Sequence, residues 1–155
     1  MTVLDIRLCE DALDPAAANA EFMAAHGSAG AVATFVGLVR AEGGAVDHLY
    51  LDWYPGMTEA SFTEIATAAA ARFDVSAIAV RHRCGRVEAG QAIVFVAAAS
   101  RHRRAAFLAV DYAMDRLKAE AALWKREGGA GGETWIEPRA EDLKDLERWN
   151  PEVEP

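Results

Sequence analysis

Two runs constrain what this chain can fold into. "AVATFVGLVR" (31–40) and "AIVFVAAAS" (92–100) are apolar at almost every position, without the polar alternation of a half-buried strand. Each is far shorter than the roughly 20 residues needed to cross a membrane as a helix. Both therefore predict strands, and the first, nearly all apolar, is expected to be covered on both faces.

The remaining segments supply helices and more strands. "VLDIRL" (3–8) reads as a short strand. "DPAAANAEFMAAHG" (14–27) reads as a helix capped by Asp14, with Pro15 at its first position and Gly27 past its end. "EGG" (42–44) breaks the first apolar run, and "HLYLDWY" (48–54) alternates as a strand. After the "PG" turn (55–56), a helix runs from Thr58 to about Phe73, with its stripe at Phe62, Ile65, Ala69 and Phe73. "SAIAVRHR" (76–83) is a strand, and "GRVEAGQ" (85–91) turns the chain into the second apolar run. A long helix is expected from near Ser100 to about Ala122, its stripe following Phe107, Val110, Met114, Leu117, Ala121 and Trp124. "EGGAGGE" (127–133) reads as a flexible loop, "TWIEP" (134–138) as a strand and "EDLKDLERW" (141–149) as a helix. The order β-α-β-β-α-β-β-α-β-α with hairpin-length connections predicts one α+β domain over residues 1–155.

Charge is distributed unevenly. The net charge is −8, yet residues 79–126 hold ten of the sixteen Lys/Arg and only four of the twenty-four Asp/Glu. A body this acidic argues against bulk, nonspecific nucleic-acid binding. Cys9 and Cys84 stand apart, with no CxxC or Cys/His cluster, so reduced thiols and no metal centre are expected. The N-terminus has neither a basic n-region nor an apolar h-region, and the expected location is the cytoplasm.

Inside the basic zone, "SRHRRAAF" (100–107) places His102 and three arginines at a helix start, where the macrodipole is already positive. An anionic ligand would reverse that unfavourable sign, since backbone N–H groups and guanidinium forks both suit phosphate or carboxylate. The alternative is a solvated basic turn paired with surface carboxylates. Lys118 and Lys125 lie seven apart, ~20° around a helix, and so on one flank of the long stripe. They are either snorkelling lysines at the edge of the core or members of the anion site. Arg40 ends the first apolar strand beside a loop. In "RHRCGR" (81–86), alternation puts Arg81 and Arg83 on one strand face and His82 on the other, and His82 reads as structural. The glycine pairs match no phosphate-loop pattern, although next to Lys125 they could form a lid.

Taken together, "GAVATFVGLVR", "LYLDWYPGMTE", "HRCGRVEAGQAIVFVAAASRHRRAAF", "MDRLKAEAALWKRE" and "TWIE" resemble the large, catalytic subunit of molybdopterin synthase, over about residues 30 to 150. The resemblance implies an α+β hammerhead-type fold, a mixed sheet with packed helices. It implies a sulfurtransferase of molybdenum cofactor biosynthesis that builds the dithiolene of molybdopterin on cyclic pyranopterin monophosphate (precursor Z). The sulfur would come from the C-terminal Gly-Gly thiocarboxylate of a small ubiquitin-like partner. The family forms a homodimer of large subunits within a heterotetramer, and neither metal nor cofactor is implied; nor is a nucleic-acid or membrane partner.

Carried onto this chain, the resemblance makes Lys118 and Lys125 catalytic. It makes Leu38, Val39, Arg40, His102, Arg103, Lys118, Lys125, Arg126 and Glu127 substrate-binding. Arg139 would reach a neighbouring protomer's site, and residues 131–155 would take part in dimer contacts. The pKa of Lys118 is expected to be lowered by neighbouring cations. Two positions depart from the family pattern: Leu38 stands where a lysine is usual, and the proline that often precedes the tryptophan motif is missing from "AEAALWKRE", which would let the helix continue toward Lys125. A rival function is a non-catalytic module binding a nucleotide, RNA or an acidic protein tail. The aromatic content of 8%, with no alternating aromatic/basic strand, disfavours RNA.

Overall fold

A computed structural model describes residues 1–150 and contains eight strands and four helices among them. The first sheet has the order β1-β4-β6-β2, comprising β1 (Val3–Cys9), β4 (Ala77–Arg83), β6 (Ala92–Ser100) and β2 (Ala31–Leu38). β1 and β4 are parallel and the other pairs antiparallel, so the sheet is mixed. Helix α1 (Pro15–Ala25) covers one face; α2 (Met57–Arg72) and α3 (Arg103–Glu120) cover the other.

The apolar runs divide between these two layers. From β6, Val94, Val96 and Ala98 join Ile78 and Val80 of β4 against Phe62, Ile65 and Leu117. The intervening Phe95, Ala97 and Ala99 meet Ala18 and Phe22 of α1. Every residue of β4 and β6 is buried, as two-sided cover requires. β2 departs from the sequence expectation. It lies at the sheet edge, beyond the reach of full cover, and leaves Phe35, Val36 and Leu38 exposed.

The second sheet is antiparallel, in the order β5-β3-β7-β8: β5 (Gly85–Glu88), β3 (His48–Trp53), β7 (Leu123–Gly129) and β8 (Gly132–Ile136). Its inner face carries Leu51 and Val87 into the main core. Three sequence expectations change here. The turn over 85–91 contains strand β5, and the flexible glycine loop is the β7–β8 hairpin. The long helix ends at Glu120, because Ala121 is extended (ψ 140°) and Ala122 is held on both sides. Its N–H donates to Ser61 Oγ at 3.0 Å, and its carbonyl accepts from Thr58 Oγ1 at 2.7 Å. These ties, with the pairing of β7 to β3, override the helical propensity of "AEAALW". Trp124, assigned to the buried stripe, is accordingly exposed; Phe107, near the start of α3, is exposed as well, while Val110 and Leu117 are buried. The last helix, α4 (Ala140–Glu147), lies against α3. Of the expected dimer segment, residues 151–155 lie outside the described residues.

A candidate anion site around two lysines

Lys118 and Lys125 are carried by different elements, and the charge of the first reaches the second. Lys118 is exposed in the last turn of α3. Lys125 is half-buried on β7, where it pairs with Leu51 of β3 and Ile136 of β8. Their sequence spacing is therefore bridged by a corner rather than by two turns of helix. The corner is built from α2. Thr58, fully buried, also accepts from the Tyr54 N–H at 2.9 Å, and Ser61 Oγ donates to the Thr58 carbonyl at 2.7 Å.

Burial, and then the charge of Lys118, lowers the Lys125 pKa from 10.5 to about 8; Asp142 acts in the opposite direction. The lysine held below its usual range is thus Lys125, and it can exchange a proton close to neutral pH. Both lysines also act on His82. That ring is buried at the end of β4, stacks on Phe62 (centroids 5.5 Å apart) and donates from Nδ1 to the Arg83 carbonyl at 2.7 Å. Burial first, and the two lysines next, push its pKa down to about 3, so it is neutral at physiological pH. Its strand neighbours face the other way, as alternation required. Arg81 pairs with Glu21 at 2.9 Å, and Arg83 donates to the carbonyls of Glu10 and Arg86.

The other expected site residues divide by position. Leu38, Val39 and Arg40 lie at the C-terminal end of β2. The register sets Leu38 opposite Ala92, the first residue of β6. Val39 is buried and bonds through its backbone to Gln91 and Gly90 (3.0 and 2.7 Å). Leu38 is exposed, and Arg40 is exposed beside Glu42 at 3.3 Å. Glu127 shares the inward face of β7 with Lys125.

Arg126 points to the opposite face. There it forms a bidentate pair with Asp52 (2.8 and 3.1 Å) and lies over the Tyr50 and Trp135 rings at 4.4 and 5.3 Å. It braces the outer face of the sheet rather than completing a pocket with Lys125. Arg139, the N-cap of α4, is paired with Asp142 at 3.2 Å and stands near the lysines of its own chain.

His102 and Arg103 are not brought to this end. They begin α3, whereas Lys118 is fifteen residues further on, ~22 Å along the axis at 1.5 Å per residue. A single pocket containing Arg40, His102, Arg103 and Lys118 cannot form within one chain. The four side chains from Arg101 to Arg104 are exposed and have no ion-pair partner among the described residues. Among those residues no three His, Cys, Asp or Glu side chains cluster as metal ligands. Thr58, Ser61 and Asp142 escaped sequence reasoning, and only the helix-start pattern of 139–142 offered a signal for the last.

A family model described as MoaE protein matches residues 8–120. A protein of Caulobacter vibrioides named molybdopterin synthase catalytic subunit is 48% identical over 96% of this chain and 99% of its own length. One of Pseudomonas aeruginosa with the same name is 42% identical over 93% and 97%. A solved MoaE structure from Burkholderia ambifaria superposes with a TM-score of 0.79 at 38% identity, covering 99% of this chain and all of that one.

Proposed function

The chain belongs to the MoaE protein family, and from that membership we propose that it is the catalytic subunit of a molybdopterin synthase. In this reading it moves sulfur from the C-terminal thiocarboxylate of a small ubiquitin-like partner onto cyclic pyranopterin monophosphate. The observation that carries the proposal is the lysine pair. Two ammonium groups on separate elements lie within each other's electrostatic reach, and one of them is tuned to about 8. Both proposed ligands, a phosphate and a thiocarboxylate, are anions that such a pair would hold.

The thiocarboxylate sulfur attacks a side-chain carbon of the pterin and forms a C–S bond, leaving the partner's tail attached through its acyl group. Water then cleaves the acyl C–S bond, so the tail leaves as a carboxylate and the sulfur remains on the pterin. In one of the two transfers the attacked carbon gives up its phosphate oxygen as the cyclic phosphate opens; in the other the carbon's oxygen leaves as water, so each C–S bond formed replaces a C–O bond. Lys118 clamps the charge that develops there, and Lys125, close to its own pKa at neutral pH, takes up or releases the proton. Arg40 holds the phosphate.

His102 and Arg103 serve the site of a second copy, because α3 carries them ~22 Å from their own Lys118. The unpaired cations at the start of α3 favour this over a purely structural turn. The dimer is the assembly that would bring the two groups together.

Reconstitution tests the reading: this protein, precursor Z and thiocarboxylated small subunit, assayed for dithiolene-bearing pterin. Wild type should turn over, whereas Lys118→Ala and His102→Ala should each fall at least a hundredfold without loss of melting temperature. Mixing the two inactive variants should recover part of the activity, since mixed dimers contain one intact site. A folded wild type that binds the small subunit but yields no product would refute the enzyme reading. Failure of the mixture to recover would refute the shared site.

A further inference from the structure

Beside the two lysines lies a carboxylate that belongs to the protein itself, Asp142. α4 is pinned antiparallel along α3 by its C-terminal end. Arg148 Nη2 lies 2.6 Å from both Asp111 and Asp115, Trp149 Nε1 donates to Asp115 at 2.6 Å, and the Trp149 ring meets Tyr112 edge-on. Asp142 precedes Arg148 by six residues, ~9 Å along the helix axis. Lys118 lies three residues beyond Asp115 and seven beyond Asp111 on the same stripe of α3, ~4.5–10.5 Å along its axis. The pinning therefore brings Asp142 abreast of Lys118.

Its carboxylate is only 13% exposed. It accepts from the Arg139 backbone N–H at 3.1 Å and from the Arg139 guanidinium at 3.2 and 3.4 Å. Lys118 on α3, neutral His82 on β4 and Glu127 on its own strand surround Lys125, and Asp142 on α4, whose direct ion partner is Arg139, acts on it from beyond 4 Å.

We propose that Asp142 is a positioning residue of this site: its carboxylate is the built-in counter-ion of Lys118 and Lys125, and an incoming phosphate or carboxylate takes over that place. Without such a group, two ammonium charges would face each other across a partly desolvated gap and splay into solvent. The electrostatics agree with the geometry. Burial works against the Asp142 carboxylate, yet Arg139 and then Lys118 hold it below its usual range, and Asp142 in turn opposes the depression of Lys125. The counter-ion also sets a threshold for ligands, since a weak anion must compete with a carboxylate already in place.

The inference rests on the anion-site reading above, and its test separates the two. The lysine side chains are titrated by NMR in wild type, Asp142→Asn and Glu141→Gln, each with and without inorganic phosphate. Asparagine retains the acceptor for the Arg139 N–H, so α4 keeps its cap. Glu141 is an exposed acid one residue away that pairs only with Arg139. Asp142→Asn should move the Lys125 midpoint to lower pH and tighten phosphate ~3–10-fold, the scale of one removed charge at partly screened range. Glu141→Gln should do neither. An unmoved Lys125 midpoint in Asp142→Asn, or an equal shift in Glu141→Gln, overturns the inference and leaves Asp142 as a helix cap. Failure of phosphate to bind any of the three proteins would count against the anion site itself, while the Lys125 titration would still decide the role of Asp142.

Discussion

Replacing Lys125 with methionine should make the protein more stable while abolishing turnover. Lys125 lies on the inward face of β7 against Leu51, with a second ammonium beside it, and its pKa falls from 10.5 to about 8. Each factor of ten in proton affinity is worth ~1.4 kcal/mol, so retaining the charge in the folded state costs about 3 kcal/mol. The unfolded chain binds this proton more tightly than the native one. The penalty is thus fully present below pH 8, diminishes as the native lysine deprotonates, and vanishes near pH 10.5. Methionine has a similar length, carries no charge and suits that surface. Urea denaturation from pH 6 to 10.5 should show Lys125→Met ahead by roughly 2–4 kcal/mol up to pH 8, the gap closing over the next two to three pH units at constant m value. A methionine variant less stable than wild type at pH 7, or a gap independent of pH, would refute the argument. Such a gain on losing a functional group is what a strained site predicts.

Three further outcomes follow from the same geometry. His82, with its pKa down at about 3 from 6.5, should make the fold lose stability as the pH drops from 6.5 toward 3; His82→Gln, which cannot titrate, should flatten that limb in a pH series of melting temperatures. Thr58→Val removes the bonds to Ala122 and Tyr54 at nearly constant volume and should cost ~1–3 kcal/mol. Its turnover should fall further than a comparably destabilising change in α1, because the lysine corner loosens. Gly128→Ala would set a methyl group inside the position of the His48 ring and should destabilise the hairpin, read as faster amide exchange across β7 and β8.

Most of the architecture was legible because its signals were local. Asp14 and Pro15 start α1 as expected, with Asp14 Oδ1 accepting from the Ala17 N–H at 3.1 Å. The strand expected over 92–100 is β6, although its burial on both faces comes from its central place in the sheet. Failures came where tertiary contacts decide. "AEAALWKRE" has helical composition throughout, and only the hydroxyls of Thr58 and Ser61, some sixty residues away, together with an open edge on β3, turn it into a corner and a strand. The exposed flank of β2 was missed for a related reason. Apolar content identifies a strand that tolerates burial, but not whether that strand stands at the middle or the edge of its sheet. For the site, residue type pointed to anion chemistry and the resemblance named the residues. The helix expected from near Ser100 to about Ala122 already put His102 and Lys118 at its two ends, as α3 does; the carried-over residue set nevertheless assigned both to one site.

The corner between α3 and β7 gives the spacing of the two lysines a parity. On one continuous helix, removing a residue between them would rotate Lys125 by about 100° and blur its position. On a strand the same deletion has only two outcomes, because alternate residues belong to opposite faces. With β7 still paired to β3, a shift of one position would turn Lys125 outward toward Tyr50 and Asp52 and carry Arg126 inward beside Lys118. The protein would keep its number of arginines and exchange an amine that can lose its proton near neutral pH for a guanidinium that cannot deprotonate. Length at residues 121–122 is thus a discrete variable with two values, only one of which leaves an amine in the site.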